Sequence, residues 1–579
     1  MEDIEELRKT DEWELYEKSV EFMSNFDMYE DSNKNYRFYN GDQWYGLNVK
    51  GIEKVQLNFI KPIVDYKTTV INQNLWAIVY SSENYENEEF KPMADALCDL
   101  LNKRTDKIWE RTKMDAKIRL ETLDSAINDE GINYTYWNDK DKQIENEVIN
   151  KTDIYYGDET SSDIQSQPYV IIRKRMPVVT ARALAEEMGL SDEKIRLIIG
   201  DGDNINNIGD KSNIEKDDET CTIITKMWRD NGTIWFSKAT RYVQIEKPTD
   251  SGLKKYPVAH FLWTEKKGSS RGEGVVRNLI PNQIEANKTL MRRSVVTKNT
   301  AYPQKIANLD YIDNPGEIDT VGATIEVHGT TNVNEAFSTT MPSQMSGDVE
   351  KLQNDLIEVT RTLENASDVA SGASGITEQT SGKAILAIQN ASQQTLSTQQ
   401  GGLRDFIEQI AVIWLDHIVT YSNDLVLQDE QEDYVTGETI YTNVKVPKSA
   451  LKALKTNVRI DVTPISSYDQ YAQELSLENL LKQGYFKPEN IDQLEMYVDA
   501  LPARSAMPKE KLKEIIAKVK AKQNYINQLN AQTQMMYEQA NQYLDRTTAQ
   551  VTQPLTEEEI AQDAQRQATE DFLAEQGLR

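Results

Sequence analysis

Histidine and cysteine are scarce in this chain, with three of the one and two of the other among 579 residues. The cysteines, Cys98 and Cys221, make no ligand spacing and no disulfide framework. A cystine-stapled scaffold and a zinc module are thereby excluded, and both read as ordinary buried thiols of a reducing compartment. His260, His328 and His417 fall in different expected elements, none at a metal-type spacing, and His417 sits in an apolar helical stretch where it reads as a packing residue. No apolar run approaches the roughly 20 residues that span a bilayer. The opening Met1-Glu-Asp-Ile-Glu-Glu6 is acidic where a secretion signal is basic, so an unexported protein with no membrane partner is expected. Basic residues are also in deficit: 65 Lys and Arg against 94 Asp and Glu leave a net charge of −29. That balance is the opposite of a protein gripping nucleic acid by counterion release.

Catalytic signatures are missing too. Gly375-Ile-Thr-Glu-Gln-Thr-Ser-Gly-Lys383 has some look of a phosphate loop, but its glycines stand too far apart and Ala384 replaces the Mg²⁺-binding hydroxyl. Asn204-Ile-Asn-Asn-Ile-Gly209 mimics a calcium loop without its first Asp and with Ile208 at a ligand position. No carboxylate spacing identifies a general acid and base. The chain is expected to be no enzyme and to need no cofactor and no metal.

What is present is a chain long enough for about three or four domains, α+β in class and mainly α-helical. The N-terminal region to about Leu123 is expected to be mostly helical, with Trp13, Phe22 and Met23 and later Leu97, Leu101, Ile108 and Trp109 at helical spacings. From Gly131 the pattern turns to strands, clearest in Thr222–Trp228 and Thr233–Phe236 around an Asn231-Gly232 turn. Arg182 to Ile199 reads as one short helix, and Gly200 to Asp218 as a polar loop. Asn457–Thr463 alternates apolar and polar, predicting a strand that returns to the earlier sheet. Tyr468 to about Thr548 is helical, with a Gln/Asn-rich stretch at 523–542 whose thin apolar stripe calls for a partner helix. The acidic last 29 residues read as a short helix or a disordered tail.

Ser270 to Tyr421 is the most informative stretch. Val276, Leu279, Ile280, Ile284, Met291 and Val295 make one helical stripe, with Pro281 near its start. A compact insert of short strands and turns follows, including Thr324–Val327. Helical spacing returns at Val349, Leu352, Leu356, Val359 and Leu363, ending near Ala366. The small-residue run Val369–Gly382 reads as a mobile loop. A long helix from about Lys383 runs through Phe406, Ile410 and Trp414 to Tyr421, with a bend expected at Gly401-Gly402. The first helix is a basic island, with Arg271, Arg277, Lys288, Arg292, Arg293 and Lys298 against Glu273 and Glu285. The second is acidic, with Asp348, Glu350, Asp355, Glu358, Glu364 and Asp368 against Lys351 and Arg361. The two either pair within or between subunits, or some of the cations touch DNA phosphate.

The order of these pieces resembles the portal proteins of tailed double-stranded DNA bacteriophages. Tyr39-Asn-Gly-Asp-Gln-Trp44 resembles the aromatic word common near the start of portals, and Leu57-Asn-Phe-Ile-Lys-Pro-Ile-Val-Asp65 the segment that follows it. Gly274-Val-Val-Arg-Asn-Leu-Ile-Pro-Asn-Gln-Ile-Glu-Ala-Asn287 is similar to the first stem helix, and Thr380-Ser-Gly-Lys-Ala-Ile385 to the start of the long tunnel helix. The resemblance implies a wing at 1–267, a first stem helix at 268–299, a clip at 300–345 and a second stem helix at 346–368. It further implies a tunnel loop at 369–382, a long tunnel helix at 383–425, a wing β return at 426–466 and a helical crown with an acidic tail at 467–579. Within the loop, Ser371, Gly372, Ser374, Gly375 and Thr377 would face the DNA, while Arg277, Lys288, Arg292, Arg293 and Lys298 would meet phosphate or the acidic partners Glu350, Asp355 and Glu358. The implied assembly is a homo-oligomeric ring of about 12 subunits at one capsid vertex, assembled in the host cytoplasm. Its implied partners are DNA in weak, non-specific passage, the terminase large subunit, capsid and scaffold proteins, and neck or adaptor proteins. The alternative is a non-viral helical scaffold with a Gln-rich partner-binding C-terminus.

Overall fold

The computed structural model describes residues 8–46, 54–73, 75–82, 91–201, 220–301, 305–330, 332–339, 347–366, 394–421, 425–432, 439–446, 459–465, 476–483, 485, 491–501, 509–547 and 557–575. The chain divides into two compact units, one of Met1–Asp424 with Pro447–Pro464 and the other of Leu425–Val446 with Ile465–Arg579.

The first unit is built on two antiparallel sheets. Five strands, β4 (Ile154–Tyr156), β5 (Tyr169–Pro177), β6 (Thr220–Asp230), β7 (Thr233–Ala239) and β8 (Gln244–Asp250), stand in sequence order. Strands β2 (Glu130–Asn138), β3 (Gln143–Ile149) and β9 (Val258–Leu262) form the other sheet, in the order β3-β2-β9. The β6–β7 hairpin is as the Asn-Gly pair predicts. Asp230 pairs with Thr233 across Asn231 (φ 50°) and Gly232 (φ 83°), the left-handed backbone that a two-residue turn of this twist demands. Ile132, Ile154, Val170, Met227, Ile234 and Val258 close the core shared by the two sheets.

Helices cover both sheets. α1 (Asp11–Asn25) is capped by Thr10 and lays Trp13, Tyr16 and Met23 on Tyr155, Ile171 and Ile224 of the five-stranded sheet. α2 (Met28–Asn40), α3 (Ile60–Ile71), α4 (Lys91–Thr112) and α5 (Met114–Asn128) complete the helical N-terminal part. One piece of that part is not helical. Leu75–Ser81 is a strand, β1, and its hydrogen-bonded neighbour is β14 (Arg459–Ile465). The returning strand thus exists, but it joins β1 in a two-stranded sheet of its own. The stretch expected as one helix at 182–199 is two, α6 (Val178–Glu187) and α7 (Asp192–Arg196), because Gly189 turns left-handed (φ 75°) between them.

Among the described residues, three long helices lie in the informative stretch. α8 (Val276–Ala301) begins at the first residue of the apolar stripe, and Pro281, its sixth residue, lies inside it rather than in its first turn. α10 (Gly347–Leu363) stops where Asn365 adopts φ 55° and the Ala366 N–H bonds the Arg361 carbonyl at 2.9 Å. α11 (Ser397–Tyr421) buries Phe406, Ile410, Trp414 and Ile418. It packs against β9, with the Phe261 and Phe406 rings 6.0 Å apart, and the Trp414 indole donates to Asn146 at 3.0 Å. Gly402 is a packing glycine: a Cβ there would stand 3.2 Å from the Phe261 ring. His417 is buried in α11 as a packing residue, its Nδ1 2.8 Å from the Ile413 carbonyl.

Between α8 and α10 lies a small exposed insert with short 3-10 turns, a one-turn helix α9 (Val333–Ala336), and β10 (Lys305–Ala307) paired with β11 (Phe337–Thr339). Thr324–Val327 forms no strand there; only Val327 bridges to Ile312, since each side of that run is a polar turn. Among its described residues the second unit holds the β12 (Leu425–Glu432) and β13 (Thr439–Val446) hairpin, a helical segment at 476–482, and the helices Ile491–Ala500, Lys509–Thr547 and Glu557–Glu575. The Gln/Asn-rich stretch lies within the 39-residue helix, and the acidic end is helical through Glu575.

Candidate functional site at the base of a helix pair

α8 and α10 pack side by side. Asn282 Nδ2 donates to Thr360 Oγ1 at 3.1 Å, and Arg293 Nη1 to Gln353 Oε1 at 2.9 Å. Rising along α8 therefore means falling along α10, and the pair is antiparallel. Pro281 leaves the Arg277 carbonyl without its helical donor, just before the buried amide junction.

The base of the pair is where three of the four quoted words meet. Gln283 Oε1 accepts the Phe59 N–H at 3.1 Å while its Nε2 donates to the Leu57 carbonyl at 2.7 Å. Asn287 Oδ1 accepts the Leu57 N–H at 3.1 Å, and its Nδ2 donates to Gln43 Oε1 at 2.5 Å. Gln43 in turn donates to the Phe38 carbonyl at 3.0 Å, and Asn58 Nδ2 donates to the Tyr39 carbonyl at 2.9 Å. Gln43, Gln283 and Asn287 are all buried. Buried amides with this many partners fix one register, since any slip of α8 strands several of them without partners. Just past the C-terminal end of α10, at this same base, Lys67 of α3 pairs with Glu364.

Immediately before α8 the chain is clamped by a second, ionic cluster. Asp129 ends α5 in left-handed backbone (φ 80°); its Oδ1 accepts the Gly274 N–H at 2.7 Å and its Oδ2 meets Lys151. Arg271 is fully enclosed. It grips Glu159 with two bonds of 3.1 Å and Glu130 at 2.5 Å, donates to the Ile154 carbonyl at 3.1 Å, and lies 4.4 Å from the Tyr156 ring centre. Glu130 Oε2 also meets His260 Nε2 at 2.6 Å. Burial alone would push the Glu130 carboxyl up, but Arg271, with His260 and Lys151, holds it down at about 2. The Gly272-x-Gly274 spacing serves this clamp, because a Cβ at Gly272 would lie 2.7 Å from the Asp129 carbonyl and one at Gly274 2.7 Å from that of Ala126.

The cations expected on the first helix are spread over several partners. Arg277 reaches Asp31 at 3.2 Å, and Lys288 and Arg292 share Glu285 at 3.9 and 3.2 Å. Arg293 meets Gln353, and Lys298 is exposed. Asp355 and Glu358 are exposed on α10, while the side chain of Glu350 lies outside the described residues. Ser371, Gly372, Ser374, Gly375 and Thr377, together with the rest of 367–393 and the loop at 202–219, also lie outside them. Sequence reasoning missed Glu130, Glu159 and Arg271 as partners; the only local signal was the pair of glycines before α8. Among the described residues there is no group of three metal-ligating side chains, and no helix is long and apolar enough to cross a membrane.

What this arrangement offers is attachment: a helix pair pinned at its root by an amide junction and an ionic clamp. No individual curated protein matches the chain. A model of the phage P22-like portal protein family matches residues 14–572 of the 579, and the chain belongs to that family, as a bacteriophage portal protein serving DNA packaging.

Proposed function

We propose that this chain works as one subunit of a closed ring of about 12 copies at a single capsid vertex, assembled in the host cytoplasm. In this reading 1–267 and the 426–466 return form the wing, and α8 and α10 the stem. Residues 300–345 form the clip that meets the terminase large subunit and later the neck or adaptor proteins. The crown at 467–579 faces the capsid interior, among capsid and scaffold proteins. The role of the ring is structural. It holds the vertex open and guides double-stranded DNA in and out, while a separate motor does the work.

The observation that carries this reading is the family match across nearly the whole chain, supported by the meeting of three resembling words at the root of the helix pair. The helix 397–421 would belong to the long tunnel helix that follows the 369–382 loop. Ser371, Gly372, Ser374, Gly375 and Thr377 would touch DNA through small side chains that let a helical polymer pass. The net charge of −29 suits passage, because an acidic wall repels phosphate over about 10 Å at 0.1 M salt and keeps the polymer from sticking. Deleting 372–377 and measuring packaged genome length is the test: shortened or absent genomes are expected, and full-length packaging would remove the loop from the account.

A further inference from the structure

One protomer leaves two complementary helix faces uncovered. On α10, Leu352, Val359 and Leu363 are 51%, 54% and 73% exposed. At about 100° per residue they fall within about 40° of one another around the axis, away from Gln353 and Thr360, which are buried toward α8. Asp355 and Glu358 lie to one side of that apolar stripe, with exposed Lys351 between them, and neither carboxylate makes an ion pair among the described residues. On α8, Arg277, Lys288 and Arg292 share a sector of about 60° on the solvent side, beside half-buried Ile284, Met291 and Val295. Lys288 and Arg292 have one carboxylate, Glu285, between them and so keep an excess of positive charge.

Resting on the ring reading, we infer that these faces are two halves of one interface: the acidic-apolar face of α10 docks on the basic face of α8 in the adjacent copy of this chain. Within a protomer the helices meet through other faces, so the complementarity is unused there and a head-to-tail contact satisfies it. The heights agree as well. The Asn282–Thr360 and Arg293–Gln353 bonds set Lys288 and Arg292 level with residues 353–357 of α10. Rotation about a ring axis preserves height, so in a closed ring whose helix pairs run along that axis the same cations stand level with Asp355 of the neighbour. An exposed apolar stripe edged on one side by charged residues, two acids to one lysine, is what such a contact buries. The cations are thereby assigned to subunit pairing rather than to phosphate.

The test is a charge swap in the full-length protein. The first variant is Lys288→Glu with Arg292→Glu, the second Asp355→Lys with Glu358→Lys, and the third carries all four. Ring content is read by native mass spectrometry and negative-stain microscopy, with circular dichroism as the check on folding. Each double variant should lose about tenfold or more in ring content at a fixed protein concentration, and the fourfold variant should regain most of it. Rings unchanged in the double variants, or no recovery in the fourfold one, would overturn the interface while leaving the ring reading intact. Intact rings that package poorly would reassign the cations to DNA. If the unmodified chain forms no rings at all, the ring reading itself fails and this interface with it.

Discussion

Replacing Arg271 by methionine removes the only guanidinium from the ionic clamp while keeping much of its volume. Arg271 satisfies Glu130 at 2.5 Å and Glu159 twice at 3.1 Å, and both it and Glu130 are cut off from solvent. The Glu130 carboxyl lies at about 2 against an ordinary 4.5. At 1.36 kcal/mol per pH step this is about 3 kcal/mol of stability. Because the folded value is the lower one, this contribution is present above about pH 4.5 and is lost as pH falls toward 2. In Arg271→Met the sign reverses. Burial then dominates, the carboxyl rises, and charging Glu130 at neutral pH works against the fold. A loss of about 3–5 kcal/mol is expected at pH 8, from a buried charge deprived of its partner, and a smaller loss at pH 5, where the carboxyl can take up a proton. Urea unfolding followed by circular dichroism at both pH values measures this. Adding Glu130→Gln to the Arg271→Met variant should recover part of the loss at pH 8. A loss below about 1 kcal/mol at pH 8, or the same loss at both pH values, would refute the argument that Arg271 and Glu130 form a coupled buried pair.

Glu121, fully buried on α5 and bonded to Asn133 at 2.7 Å, is pushed by burial up to about 8. Its folded value is the raised one, so its favourable contribution is complete below about pH 4.5 and declines as pH rises toward 8. Glu121→Gln should therefore leave stability unchanged near pH 4 and raise it by about 2–4 kcal/mol at pH 8, read as a pH-dependent gain in thermal midpoint. Gly274→Ala drives a methyl against the Ala126 carbonyl and should cost about 1–3 kcal/mol, measurable as a lower urea midpoint. Asn287→Ala strands the Leu57 N–H and the Gln43 amide at the root of α8. A loss of about 2–3 kcal/mol is expected by the same assay; adding Gln43→Ala should then cost less than Gln43→Ala does alone, and strictly additive losses would show that the two amides are not coupled.

The parts legible in the sequence are those whose cause is local. Asn231-Gly232 names its hairpin because both residues must take positive φ, and the apolar periods of α8, α10 and α11 mark one face each. Leu75–Ser81 was not legible, since its partner strand begins at Arg459 and a short apolar run between helices carries no period that separates strand from helix. The root clamp was invisible for the same reason. Glu130 and Arg271 are 141 positions apart and look like ordinary surface charges until β2 and the segment after β9 bring them together. The amide junction was half legible, because its words were recognised as resembling a family without any sign that Gln43, Leu57 and Asn287 touch.

The account depends most on closure of many copies around a passage. Electron cryomicroscopy of the purified full-length protein measures it directly: the account predicts closed rings of about a dozen copies with a central channel, α8 and α10 arranged around it and residues 369–382 on its wall. A protein that remains monomeric at micromolar concentration, or a ring whose 369–382 segment lies on the outer rim, would contradict it.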